Sequence, residues 1–209
     1  MDDRDAFTRI LKEYPSNPAA QEALIARTVD EARLSARTAV SLLDSSDTDL
    51  AFNAESFLRS IDDLAVQPLL ESPVPADPSR ASSYIDLLVE PELELRRKVL
   101  AKIDTLLEDR RPIPLRPVLG VKPEEPAKPR RVCDDAYVAM RSVIHFGEDL
   151  VDQFAERDRF LSEPVESRDA AIRRARRSPT WQRALGHEPD ETSPGNGHDA
   201  PNIGGPARR

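Results

Sequence analysis

Residues 50–73 read LAFNAESFLRSIDDLAVQPLLESP. Leu50, Ala54, Phe57, Leu58 and Ile61 recur at three- and four-residue spacing, the stripe of an amphipathic helix. The stripe stops at Asp62-Asp63 and restarts as AVQPLL, with a proline inside the restart. An aspartate between helices can accept hydrogen bonds from the free N–H groups that open the next helix. Proline is tolerated in a first turn, because the N–H it lacks has no intrahelical partner there. The stretch therefore predicts two helices joined by a tight turn, with Leu69 and Leu70 returning to the seam of Phe57 and Ile61. One such hairpin leaves apolar surface uncovered, so its stability requires stacked neighbours.

A shift of 46 residues lays Phe57 over Ile103, Ile61 over Leu107, Asp63 over Asp109, Pro68 over Pro114 and Leu69 over Leu115. That period lies within the ~40–47 residues of paired-helix repeats. Asp63, Ala65, Val66, Pro68, Leu69 and Leu70 stand in a pattern that resembles the HEAT repeat family, best over 50–73 and less closely over 93–119. The resemblance implies an α-solenoid of helix hairpins and a role in binding along its surface. It assigns structural roles to Phe57, Ile61, Asp63, Val66, Pro68, Leu69, Ile103, Leu107, Asp109 and Pro114. Residues 74–92 insert a further helix, so the expected array is short and irregular, an all-α fold of about ten helices.

Other segments carry the same periodicity. Phe7, Ile10, Leu11 and Tyr14 mark a helix over 3–14, and Asn17-Pro18 caps the next. A long alanine-rich stripe follows to Leu43, as one helix or as two with a break near Val29. Asp77-Pro78 opens a helix to about 89, and Pro91 opens another through Leu106. Residues 110–131 are rich in proline and read as a short helix or turn followed by an extended linker. Helices return with Cys133 to Ile144, then Leu150 to Leu161, then 168–177, and SPTW (178–181) caps a last turn. No segment alternates with period two, so no sheet is predicted. The expected organisation is 1–119 helical and repeat-like, 120–131 linker, 132–185 further helices of the same array, and 186–209 a disordered tail.

Composition narrows the function. The net charge of −8 is uneven: residues 1–109 carry 22 acids and 12 bases, whereas 110–185 carry 12 acids and 16 bases. The acidic half argues against nucleic-acid binding over the whole surface. A single cysteine, Cys133, rules out an intrachain disulfide and a cysteine-cluster metal site. The first residues, MDDRDAFTRI, lack an apolar secretory core, and no run approaches the ~18 apolar residues that would cross a bilayer. A cytoplasmic protein without a membrane span is the expectation.

Candidate chemistry is sparse. Asp62-Asp63 and Asp134-Asp135 have no histidine placed beside them and read as helix caps and first-turn charges. His145 and Cys133 stand twelve residues apart along one helix, about 18 Å, too far for a nucleophile and its base. The two glycine clusters lie in the tail without flanking strands, which removes a phosphate loop. No catalytic residue, cofactor or metal is assigned. The sharpest feature is RDAAIRRARRSPTW (168–181), with Arg168, Arg173, Arg174, Arg176, Arg177 and Trp181. It reads as a patch for phosphate, anionic lipid or an acidic partner, as a solvated face, or as a segment docked on the chain's own acidic half. Arginines outnumber lysines 25 to 5 throughout, which lowers the weight of any one arginine. Trp181 is either a pin for the last turn or an exposed anchor.

Two functions follow from these readings. The first is a non-enzymatic protein–protein interaction scaffold whose partner is another protein. The second is nucleic-acid binding through the basic segment 168–183, as in HEAT-like folds that grip DNA in a basic groove.

Overall fold

The computed structural model describes residues 3–25, 29–89, 94–114, 129–145 and 150–187. Eleven helices occur among them: α1 (Asp3–Glu13), α2 (Pro18–Ile25), α3 (Val29–Leu42), α4 (Thr48–Ser60), α5 (Asp63–Glu71), α6 (Pro78–Asp86), α7 (Arg96–Leu106), α8 (Val132–Ile144), α9 (Leu150–Ser162), α10 (Val165–Arg176) and α11 (Pro179–Leu185). No strand occurs among the described residues; an isolated antiparallel bridge joins Pro112 and Arg131. The all-α expectation holds. The stripe from Ala20 to Leu43 is two helices. The expected helix start at Pro91, the centre of the proline-rich segment and the tail from 188 onward lie outside the described residues.

Local chemistry sets the helix starts. Asn17 Oδ1 accepts from Ala19 N at 2.9 Å, Asp47 from Leu50 N at 3.1 Å, Asp77 from Arg80 N at 3.0 Å and Ser178 Oγ from Trp181 N at 3.3 Å. Each side chain satisfies one of the N–H groups left over at a helix start. Pro18, Pro78 and Pro179 follow three of these caps as the first helical residue.

α11 ends in a left-handed glycine, Gly186, whereas several other helix ends are closed by neighbours. Asn53 of α4 is buried and its Nδ2 donates to Leu11 O at 3.0 Å and Lys12 O at 3.3 Å, at the end of α1. Tyr84 OH of α6 donates to Leu69 O at 2.7 Å, and Lys102 Nζ of α7 to Ser72 O at 2.9 Å, both at the end of α5. Arg96 Nη2 of α7 donates to Ile144 O at 3.0 Å, closing α8. Terminal carbonyls cannot find intrahelical donors, so each of these bonds ties the end of one helix to the side of another. Burial drives the Tyr84 hydroxyl pKa well upward, which keeps it a donor.

One apolar core runs through the helices, from Phe7 and Leu11 to Val143, Ile172 and Trp181. α3 packs on both α4 and α5, α1 on α4, α6 and α7 on α8, and α11 on α7. Small residues on α3 (Ala32, Ala36 and Ala39, all buried) allow that close approach. Phe57 meets Phe7 and Tyr14 edge to face, with ring centroids 5.3 and 6.3 Å away.

The expected hairpin over 50–73 differs in three respects. α4 and α5 both lie on α3 and make few contacts with each other. Pro68 is the sixth residue of α5, beyond its first turn, so the N–H it lacks would have met Leu64 O. Asp62 precedes α5 with φ 48° and makes no side-chain cap. Phe57, Val66, Pro68 and Leu69 are nonetheless buried, and Ile61 is partly so. The cause lies in α3, whose alanine face offers a better bed for both helices than they offer each other.

The second unit departs further. Ile103 and Leu107 are buried, but 109–114 form no helix and Pro114 is exposed. Asp109 does not cap a helix: its carboxylate takes Arg111 Nε at 2.9 Å and Nη2 at 2.6 Å. Prolines 112 and 114 disfavour a helix here. The end of the proline-rich segment is not a free linker either. Ile113 N donates to Arg130 O at 2.8 Å, Val132 N to Arg111 O at 3.1 Å and Cys133 N to Asp109 O at 2.9 Å. Both ends of the excursion 115–128 are thus held side by side, and α7 and α8 pack as neighbours.

Candidate interaction surface at the basic helix

α10 carries the most distinctive chemistry in the described chain, and its faces divide sharply. Arg168, Ile172 and Ala175 follow the inward stripe, so an arginine occupies a core position. Arg168 is 1% exposed and Ile172 2%. A buried guanidinium needs a counter-charge, and Asp134 in the first turn of α8, itself fully buried, supplies it. Arg168 Nη2 also donates to Pro129 O at 2.8 Å, while its Nε has no partner.

Asp134 holds more than one guanidinium. It accepts from Arg131 N at 3.0 Å, which closes the start of α8, and from Arg131 Nη2 at 2.8 Å. Arg131 Nη2 reaches on to Asp169 of α10 at 2.8 Å, and Asp169 also pairs with Arg110. The hydrogen bond to Asp134 pushes the Arg131 guanidinium pKa further up. Alongside, Asp135 accepts from Arg130 and from Ser82 of α6. Of the pair expected to cap α8, Asp134 does so and also anchors α10, whereas Asp135 is a first-turn charge that anchors α6. Cys133 sits within this network, buried; burial first, and Asp134 second, raise its thiol pKa and keep it protonated.

A second set of bonds pins the far end of α10. Arg176 Nη2 meets Asp104 Oδ2 at 2.8 Å and its Nη1 meets Glu108 at 3.1 Å. Asp104 accepts from Trp181 Nε1 at 3.0 Å on its other oxygen. Trp181 is buried and stacks on Tyr137 of α8, centroids 6.0 Å apart at 15°, and Tyr137 in turn meets Phe160 of α9 at 4.4 Å. Trp181 is thus the pin and not an exposed anchor. Arg168 and Arg176 dock on acids of α7 and α8.

Arg173, Arg174 and Arg177 stand apart. All three are exposed and none has a side-chain hydrogen bond or ion pair among the described residues. Arg173 and Arg177 are four residues apart, one above the other on the outer face. Periodicity located this helix, but it could not tell the buried arginines from the free ones. It also missed Asp104, Asp169 and Arg131 altogether. An inward arginine at a core position, with an Asp-Asp pair elsewhere, was the available signal.

Elsewhere the surface offers less. No group of three or more His, Cys, Asp or Glu among the described residues could hold a metal. A groove of about 450 Å³ is lined by Tyr14, Gln21, Leu24, Phe57, Ile61 and Leu64, with no charged side chain. Its Tyr14 hydroxyl and Gln21 amide N–H donate to the Ser56 and Pro15 carbonyls. No helix among the described residues is long and apolar enough to cross a membrane. Comparison with protein-family models, with curated proteins and with solved structures gives no match.

Proposed function

We propose that this chain is a non-enzymatic protein–protein interaction module, a helical scaffold that offers a fixed edge to another protein. One observation carries the reading: α10 is tied to α7 and α8 through Arg168, Asp169 and Arg176, while Arg173, Arg174 and Arg177 are exposed and have no partner among the described residues. Groups fixed before contact lose little freedom on binding. The buried charges are engaged with each other, which leaves recognition rather than chemistry as the role of this region. The competing reading, nucleic-acid binding through 168–183, loses Arg168, Arg176 and Trp181 to internal contacts.

The test is reversal of the exposed charges. The chain with Arg173, Arg174 and Arg177 changed to Glu should lose the protein that co-purifies with wild type, with its helical circular dichroism unchanged. A partner retained by this variant, and by reversals on the other exposed helix faces, contradicts the reading.

A further inference from the structure

We infer that the surface meeting Arg173, Arg174 and Arg177 is a short carboxylate-rich protein segment; this rests on the interaction-module reading. The first ground is a contrast within one half of the chain. Arg110, Arg130, Arg131, Arg141, Arg168 and Arg176 each have an acidic partner. The arginines of this half with no acidic partner among the described residues also include Arg157, Arg159 and Arg183, but Arg173, Arg174 and Arg177 gather within about one turn at the end of one helix. Like charges four apart on a helix repel by a few tenths of a kcal/mol. The last turn of α10 offsets part of this through its dipole, but Arg176 already serves that end. Carboxylates from outside would remove the repulsion, and the planar guanidinium matches a carboxylate with two parallel bonds.

The second ground is the extent of the patch. Arg173 and Arg177 span about one helical turn, some 6 Å along the axis, room for two or three carboxylates. Acids fence it on two sides. Glu166 is exposed toward the start of α10, and Glu108, 76% exposed, lies beyond Arg176. An extended polyanion such as duplex DNA would run onto those acids. Three phosphate contacts also supply little of what duplex binding needs. A short acidic segment fits inside the fence.

The experiment uses the full chain and three fluorescein-labelled probes: octaglutamate, octalysine and a short DNA duplex, followed by anisotropy against salt. Octaglutamate should bind saturably at low salt although the chain carries net −8, and weaken as salt rises. R173E/R174E/R177E should weaken it by about tenfold or more, since three attractive contacts become repulsive ones. Changing the exposed Arg37 of α3 to Glu should leave it unaltered. If the reversal variant loses its helical circular dichroism, R173Q/R174Q/R177Q takes its place. No octaglutamate binding, binding indifferent to the substitutions, or a duplex bound more tightly than the peptide each overturns the inference. If octaglutamate fails while the same reversal still removes a co-purifying partner, the module reading stands and the acidic segment falls.

Discussion

Asp134 lies between two guanidinium groups, those of Arg131 and Arg168, with no solvent to share the charge. Removing one member of a buried ion pair leaves the other uncompensated, at a cost of about 3–5 kcal/mol. Asp134→Ala should therefore lower the urea-unfolding free energy by roughly that amount, and an effect below about 1 kcal/mol would show that the pair is hydrated. Asp62 is a different case. Its φ of 48° lies where side chains are strained and glycine is not. Asp62→Gly should raise stability by about 1 kcal/mol, because it makes no cap that glycine would lose. Asp109 sets a pH dependence. Its hydrogen bond with Arg111 holds the carboxyl below the usual carboxylate range. That contribution is complete above the unfolded value near 3.9 and is lost as pH falls through the lower folded value. The stability gap between wild type and Arg111→Gln should be present at pH 7 and shrink below about pH 4. A constant gap would mean that Arg111 acts through its bonds to the Pro75 and Ala76 carbonyls instead.

Elements differ in how far their sequence revealed them. α2, α6 and α11 were legible because a cap and a first-turn proline sit beside a periodic stripe at Asn17-Pro18, Asp77-Pro78 and Ser178-Pro179. The pairing of α4 with α5 was not, because a stripe shows that a helix buries a face and not which neighbour covers it; α3 covers both. The segment after α7 misled for a related reason. LLEDRRPIP lies over SIDDLAVQP with Leu107 on Ile61, Asp109 on Asp63 and Pro114 on Pro68, but two prolines and the Asp109–Arg111 bond turn it extended. At the candidate site, the tryptophan's pinning role was readable as one of two options, whereas its partner Asp104 was not, since nothing local distinguishes that aspartate. α11 is seven residues long and depends on this contact. Trp181→Ala should cost about 3–5 kcal/mol, the range for emptying a buried aromatic site. Thermal unfolding followed by circular dichroism checks it, and a loss near zero would place α11 outside the cooperative core.

At the scale of the molecule, ion pairs tie α10 to α8 within the C-terminal segment and, through Arg176, to α7 of the acidic half. Residues 110–185 supply the arginines, and Asp104 and Glu108 from the acidic half receive one of them. Uneven charge along the chain is thus partly an internal matter, and the exposed arginines of α10 are those the proposed function assigns to contact. That division stands only if α10 is fixed by Arg168. Hydrogen exchange of wild type and Arg168→Met measures it most directly. The expected result is strong protection of α10 and α11 amides in wild type, reduced by the substitution, while α4 keeps its protection in both. Free exchange along α10 in wild type, or protection indifferent to Arg168→Met, would contradict the account.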